Sequence, residues 1–168
     1  MKAIIYMSNT GTTKEYADLL GKKTGLPVYN MEHSSGVEKG CDIIYLGWVM
    51  ASSIKGYNDA VKKWNIRAVC GICMGETGSQ IKELRDKNSI PETMPLFTMQ
   101  GGFDIHKLHG KYKLMMKVMS KTIGKMLDKK PDKTPEEEKT YEMMVHGGSY
   151  VSAENMKQIL EWYEAYFA

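Results

Sequence analysis

Five short apolar runs punctuate the first hundred residues: Lys2 to Met7 (KAIIYM), Val28 to Met31, Asp42 to Val49 (DIIYLGWV), Arg67 to Cys73 (RAVCGIC) and Pro95 to Met99. Each is four to eight residues long, the length of a buried strand. The segments between them repeat at helical spacing instead. In TKEYADLLGKKTG, Tyr16, Ala17, Leu19 and Leu20 share one face, Gly25 closes the helix, and Pro27 starts the next segment. Further helices are predicted over about Tyr57 to Trp64 and Ser79 to Lys87, and over Ala153 to Tyr166, whose apolar face carries Met156, Ile159, Leu160, Tyr163 and, just beyond, Phe167. Nearly continuous apolar strands that alternate with amphipathic helices predict a parallel sheet, because parallel neighbours need helical crossovers that then cover both faces. The expected class is therefore a doubly wound α/β domain: a five-stranded parallel sheet with helices on both faces. In such sheets ligands sit outside the carboxyl ends of the strands, so the loops beginning at Ser8, Trp48, Met74 and Gln100 should converge on one site.

One stretch, about 101–148, interrupts the pattern before the last helix. From Ile105 to Lys130, Leu108, Tyr112, Met115, Met116, Met119, Ile123, Met126 and Leu127 recur at helical spacing, and Pro131 to Lys139 reads as a polar loop. From Lys107 to Lys130 the eight lysines Lys107, Lys111, Lys113, Lys117, Lys121, Lys125, Lys129 and Lys130 are set against the single acid Asp128. A basic helical insertion is expected. Its methionine stripe is either core packing or a pliable binding surface. Its lysines are either a solvated face or a field that steers an acidic partner, a propionate-bearing substrate or an anionic membrane.

Composition narrows the picture. With 168 residues, 42% hydrophobic and 26% charged, the chain reads as a single globular domain over 1–168. No apolar run approaches the roughly 20 residues that a bilayer requires, and the opening MKAIIYMS is too short an apolar run for a signal-peptide core. A cytoplasmic protein is expected, peripheral to a membrane only if residues 105–130 bind one. A net charge of +3 gives no reason to expect nucleic acid. Cys41, Cys70 and Cys73 cannot all pair within one chain, and reduced thiols are expected. The spacing Cys70-Gly71-Ile72-Cys73 suits a redox dithiol or half a zinc site, but no second ligand pair lies nearby and Cys70 falls inside an apolar strand. His33, His106, His109 and His146 form no recognisable set. No metal ligand and no catalytic residue is assigned.

The chemistry lies in the first loop. A strand that runs into Ser8-Asn9-Thr10-Gly11-Thr12-Thr13 and opens a helix is a phosphate site in outline, since unpaired N–H groups at the helix start point at the anion and four hydroxyls stand beside them. The loop lacks the Gly-Lys-Ser/Thr ending of an NTPase and the G-x-G-x-x-G of a dinucleotide fold. An ordinary hydroxyl-rich helix cap is the plain alternative. In this segment the chain resembles the flavodoxin family, whose phosphate loop after the first strand reads Thr/Ser-x-Thr-Gly-x-Thr. Looser matches follow at Gly47-Trp48-Val49-Met50-Ala51-Ser52 and Cys73-Met74-Gly75-Glu76, which correspond to the two flavin-flanking loops. The layout after the fifth strand looks most like the flavodoxin-type protoporphyrinogen oxidases, although the chain is mildly basic where family electron carriers are usually acidic.

The resemblance implies a flavodoxin-like fold and one bound FMN. The flavin would lie between Trp48, Val49, Met50, Ala51 and Ser52 on one side and Cys73, Met74, Gly75, Glu76 and Gly78 on the other, with Gln100, Gly101 and Gly102 beside it. Trp48 could equally be a packed core residue. The function expected is electron passage through the flavin, to and from a redox partner protein or a small-molecule donor and acceptor. That covers an oxidoreductase resembling flavodoxin-type protoporphyrinogen oxidase and an electron carrier without its own substrate. A membrane-surface or partner-binding module that works through the basic helix stands as the alternative of another class.

Overall fold

The computed structural model describes residues 1–103, 132, 134, 138 and 147–167. The basic helix expected over 105–130 lies outside the described residues. The chain begins with β1 (Ala3–Met7), α1 (Thr12–Thr24) and β2 (Val28–Asn30), followed by a single 3-10 turn at Met31–His33. β3 (Asp42–Met50) turns back into a two-residue β4 (Ser53–Ile54), and α2 (Tyr57–Lys63) leads to β5 (Asn65–Cys73). α3 (Ile81–Asn88) leads to β6 (Leu96–Gln100). Two-residue strands β7 (Gly102–Phe103) and β8 (Gly148–Ser149) precede a 3-10 turn at Glu154–Met156 and the helix α4 (Lys157–Phe167).

The main sheet has the parallel order β2-β1-β3-β5-β6, with β4 an antiparallel appendage on β3. This is a flavodoxin-like doubly wound α/β fold. Period-2 alternation sends odd residues of β1 and β3 to one face and even residues to the other. Ile5, Ile43 and Tyr45 pack with Tyr57 and Ala60 of α2 and Leu84 of α3. Ile4, Ile44 and Leu46 pack with Tyr16, Ala17 and Leu20 of α1 and with Met156 and Ile159 beneath α4. Two cores therefore sandwich one sheet, which is why the central strands read as unbroken apolar runs. The alternation on β5 shifts once: Ile43 pairs Ile66 but Ile44 pairs Ala68, which leaves Arg67 as the extra, exposed residue of a bulge.

Cys70 and Cys73 both lie on β5. Three residues of strand span roughly 10 Å, beyond the roughly 7 Å that a disulfide can bridge, and an odd spacing points the two side chains to opposite faces. Both are buried thiols, as is expected of strand residues. Burial pushes the Cys70 thiol and the Tyr45 hydroxyl far up from their ordinary values.

Those two groups set an alkaline limit on stability. Each stays protonated in the fold after it has ionised in the unfolded chain. Their contribution is whole below about pH 8 and is lost as pH rises through the unfolded values, about 8.5 for cysteine and 10 for tyrosine, towards the higher folded ones. Urea midpoints are expected to hold from neutral pH to about 8 and then to fall, and Cys70→Ala should flatten the first part of the decline, below about pH 10.

Candidate functional site

The order of winding reverses between β1 and β3: β1 crosses outward to β2, whereas β3 feeds the strands on its other side. The loops that leave Met7 and Met50 therefore flank the switch point, where an open α/β sheet leaves a crevice. The first loop, Ser8 to Gly11, has an unusual economy of hydrogen bonds. Ser8 Oγ accepts from the Gly11 N–H at 3.2 Å, which folds the loop on itself. Gly11 caps α1 at φ 102°, a conformation suited to glycine, and no side chain among the described residues caps the helix. The plain reading of the hydroxyls as an N-cap is thus not what they do. Thr12 and Thr13 are buried in the first turn, and two polar atoms at this corner, Asn9 Nδ2 and Thr13 Oγ1, are buried without a partner among the described residues. An uncapped helix start beside orphaned buried donors fits an anion with several acceptor oxygens, such as the phosphate of FMN.

The third loop of the site, Gln100 to Gly102 at the end of β6 (the second being Met74 to Gly78 after β5), reaches this corner. A Cβ on Gly101 would stand 3.4 Å from Thr12 Oγ1 and only 2.6 Å from Ile72, so the backbone passes where no side chain fits. Gly101 N–H donates to Cys73 O at 2.7 Å, and Gln100 Nε2 donates to Met74 O at 3.4 Å, which ties the second loop to the third. Thr77 and Gly78 close the far side: Gly78 N–H donates to Thr98 O at 3.1 Å, and Gln100 N–H donates to Thr77 Oγ1 at 3.0 Å. Gly75 and Glu76 belong to the same turn, where Ser79 Oγ donates to Glu76 O at 2.5 Å. Cys73 is buried at the end of β5, and burial raises its thiol above the ordinary range, so it stands there as a neutral thiol.

The segment Trp48 to Ser52 is not the loop that its sequence suggests. β3 runs through Trp48, Val49 and Met50, and Ala51-Ser52 form the two-residue turn of a hairpin in which Val49 pairs Ile54 and Met50 pairs Ser53. Both turn residues have positive φ, 48° and 59°, as the right-handed strand twist demands of such a turn. Neither is the Asn or Gly that would announce it. What holds the strained turn is Asn88, buried at the end of α3. Its Oδ1 accepts from Ile54 N–H at 2.8 Å, and its Nδ2 donates to Ser52 O at 2.8 Å and Leu84 O at 2.7 Å. Ser52 Oγ also donates to the Glu83 carboxylate. Trp48 is half-buried, with Lys55 Nζ 6.0 Å from the centre of its ring.

A second device that sequence reasoning missed ties the far chain to the site. Tyr16, read only as a helix-face residue, is fully buried and donates to Gln100 O at 2.5 Å. Asn155 Nδ2 donates to Tyr16 Oη and to Tyr150 O, each at 2.8 Å. Tyr150 N–H in turn donates to Gly101 O at 3.1 Å. Burial raises the Tyr16 hydroxyl above its ordinary value, and the Asn155 hydrogen bond opposes this in part. Gly102 pairs with Ser149 and Phe103 with Gly148, which brings the chain before residue 104 and after residue 146 together at this loop. A Cβ on Gly102 would meet Gly148 O at 2.1 Å, which explains a glycine there. Among the described residues no three His, Cys, Asp or Glu side chains are placed to share a metal ion, and no helix is long and apolar enough to cross a membrane.

Asn88→Ala orphans the buried Ile54 N–H and is expected to lower stability by roughly 2 to 4 kcal/mol in urea unfolding. Tyr16→Phe should cost about 1 to 2 kcal/mol and, more tellingly, speed amide exchange at Gly101 and Tyr150 while the centre of β3 keeps its protection. No family model matches this chain, nor does any curated protein or solved structure, so the functional reading rests on the geometry of these loops.

Proposed function

We propose that the chain is an FMN-binding redox protein that passes electrons between two partners through a flavin held at the carboxyl end of the sheet. The observation that carries this reading is the start of α1: a helix of 13 residues that, among the described residues, has no side-chain cap and stands beside Asn9 Nδ2 and Thr13 Oγ1 without partners. Ser8 to Thr13 would hold the phosphate with neutral donors. FMN, when bound, supplies the electron chemistry. The protein would contribute binding and orientation through the Trp48–Ser52 hairpin, the Cys73–Gly78 turn and the close backbone at Gln100–Gly102. Cys73, a buried neutral thiol, offers no nucleophile and shields that side from water. No acid or base is required of the chain. Met74 and Tyr150, 37% and 38% exposed, are large apolar side chains near the mouth and suit a transient docking partner.

The test is flavin binding followed by the quenching of its fluorescence. FMN is expected to bind saturably with one site per chain, and riboflavin much more weakly, because the amides and hydroxyls then lack their anion. Thr13→Val keeps the side-chain shape and removes the orphaned hydroxyl, so it should weaken FMN by about tenfold or more and leave riboflavin nearly unchanged. Equal affinity for FMN and riboflavin would remove the phosphate assignment.

A further inference from the structure

A second concavity lies at the opposite end of the sheet, where β5 and β6 begin. It measures about 390 Å³ and is bounded by the start of β5, the segment from Pro91 to Pro95, and Trp162 and Tyr166 of α4. That volume falls within the roughly 300 to 1,000 Å³ of small-molecule sites. Its lining contains one charged side chain, Arg67. Arg67 is the bulge residue of β5, the extra position that the strand ladder does not use, and bulges are a common means of aiming a side chain. It makes no ion pair or hydrogen bond with any described residue, in contrast to Arg85, which binds three backbone carbonyls and Glu92. Among the described residues of its lining, the cavity is therefore electrostatically one-sided.

The lining also holds two aromatic side chains, Trp162 and Tyr166. Phe97 and Trp162 lie 6.1 Å apart at 55°, and Trp162 and Tyr166 lie 6.0 Å apart at 38°, a tilted ladder that ends in solvent. Tyr166 is 72% exposed, so this ring contributes little to the core. Asn65 and Thr93 add neutral polar groups at the rim.

We propose that this concavity binds a small planar carboxylic acid, its carboxylate paired with Arg67 and its ring laid against Trp162 and Tyr166. A guanidinium presents a planar fork of donors that matches a carboxylate, and with one cation in the lining a monoanion fits better than a phosphate dianion. An aromatic body suits the tilted rings by offset or edge contact. The site is separate from the flavin reading, because it sits at the amino ends of the strands.

The test uses 1-naphthoate in calorimetric titration of the full chain, alone and after incubation with FMN. Saturable binding at one site per chain is expected, unchanged by FMN. The neutral 1-naphthylmethanol and the Arg67→Gln variant should each bind roughly tenfold or more weakly, with Arg67→Lys in between. Because Arg67 is exposed, Arg67→Gln should keep the wild-type urea midpoint, which separates lost binding from lost folding. Tyr166→Ala tests the aromatic contact in the same way. Undiminished naphthoate binding by Arg67→Gln, or no saturation at millimolar naphthoate, overturns the site. Acetate as tight as naphthoate overturns its aromatic half. Neither result bears on whether FMN binds at the other end of the sheet.

Discussion

Burial of β3 and β5 on both faces is the constraint from which the rest of this molecule follows. A strand with side chains alternating into two cores needs helices above and below the sheet, and the parallel crossovers supply them. α1 and α4 cover one face and α2 and α3 the other. Once β1 sends its crossover outward and β3 takes the opposite side, the loops after Met7 and Met50 diverge and leave a crevice at the top of the sheet. The candidate site is thus a consequence of how the cores are filled, and its rigidity is borrowed from the strands beneath it.

The backbone strain is distributed accordingly. Of the non-glycine residues with positive φ, Ala51, Ser52 and Gln80 lie in the segments that border the crevice. Each such residue costs on the order of 1 kcal/mol and persists only where its surroundings over-determine it. Asn88 provides that for the hairpin, since its amide satisfies backbone groups from both β4 and the turn. The strained turn is then held by a helix on one face of the sheet, while the third loop is held by Tyr16 from a helix on the other. Both grips on the site come from helices whose main role is to fill a core.

The same economy links distant parts of the chain. Tyr16, Gln100, Tyr150 and Asn155 meet at one cluster of hydrogen bonds, and the β7–β8 pair joins Gly102–Phe103 to Gly148–Ser149 beside it.

Sequence alone determined the fold class, the strand and helix order and the first loop, because each is written in local pattern: period 2 against period 3.6, glycine and proline at the boundaries, and hydroxyls before an amphipathic helix. The apolar face assigned to α1 is the buried one, and Met156 and Ile159 are buried as their spacing indicates. Tertiary structure decided what no local pattern encodes. The hairpin at Ala51-Ser52 carries none of the residues that favour its turn, since its positive φ is enforced by Asn88 from more than thirty residues away. The bulge at Arg67 exists because β5 must stay in register with β3 on both sides of it. Tyr16 reads as one more apolar helix position, and only the arrival of Gln100 and Asn155 gives its hydroxyl a purpose. From sequence the hydroxyls of the first loop read as phosphate donors, with an ordinary helix cap as the plain alternative. The chain's path left Ser8 to fold the loop and Thr13 unpaired, because the hydrogen-bond partners of a buried group are set by what packs around it.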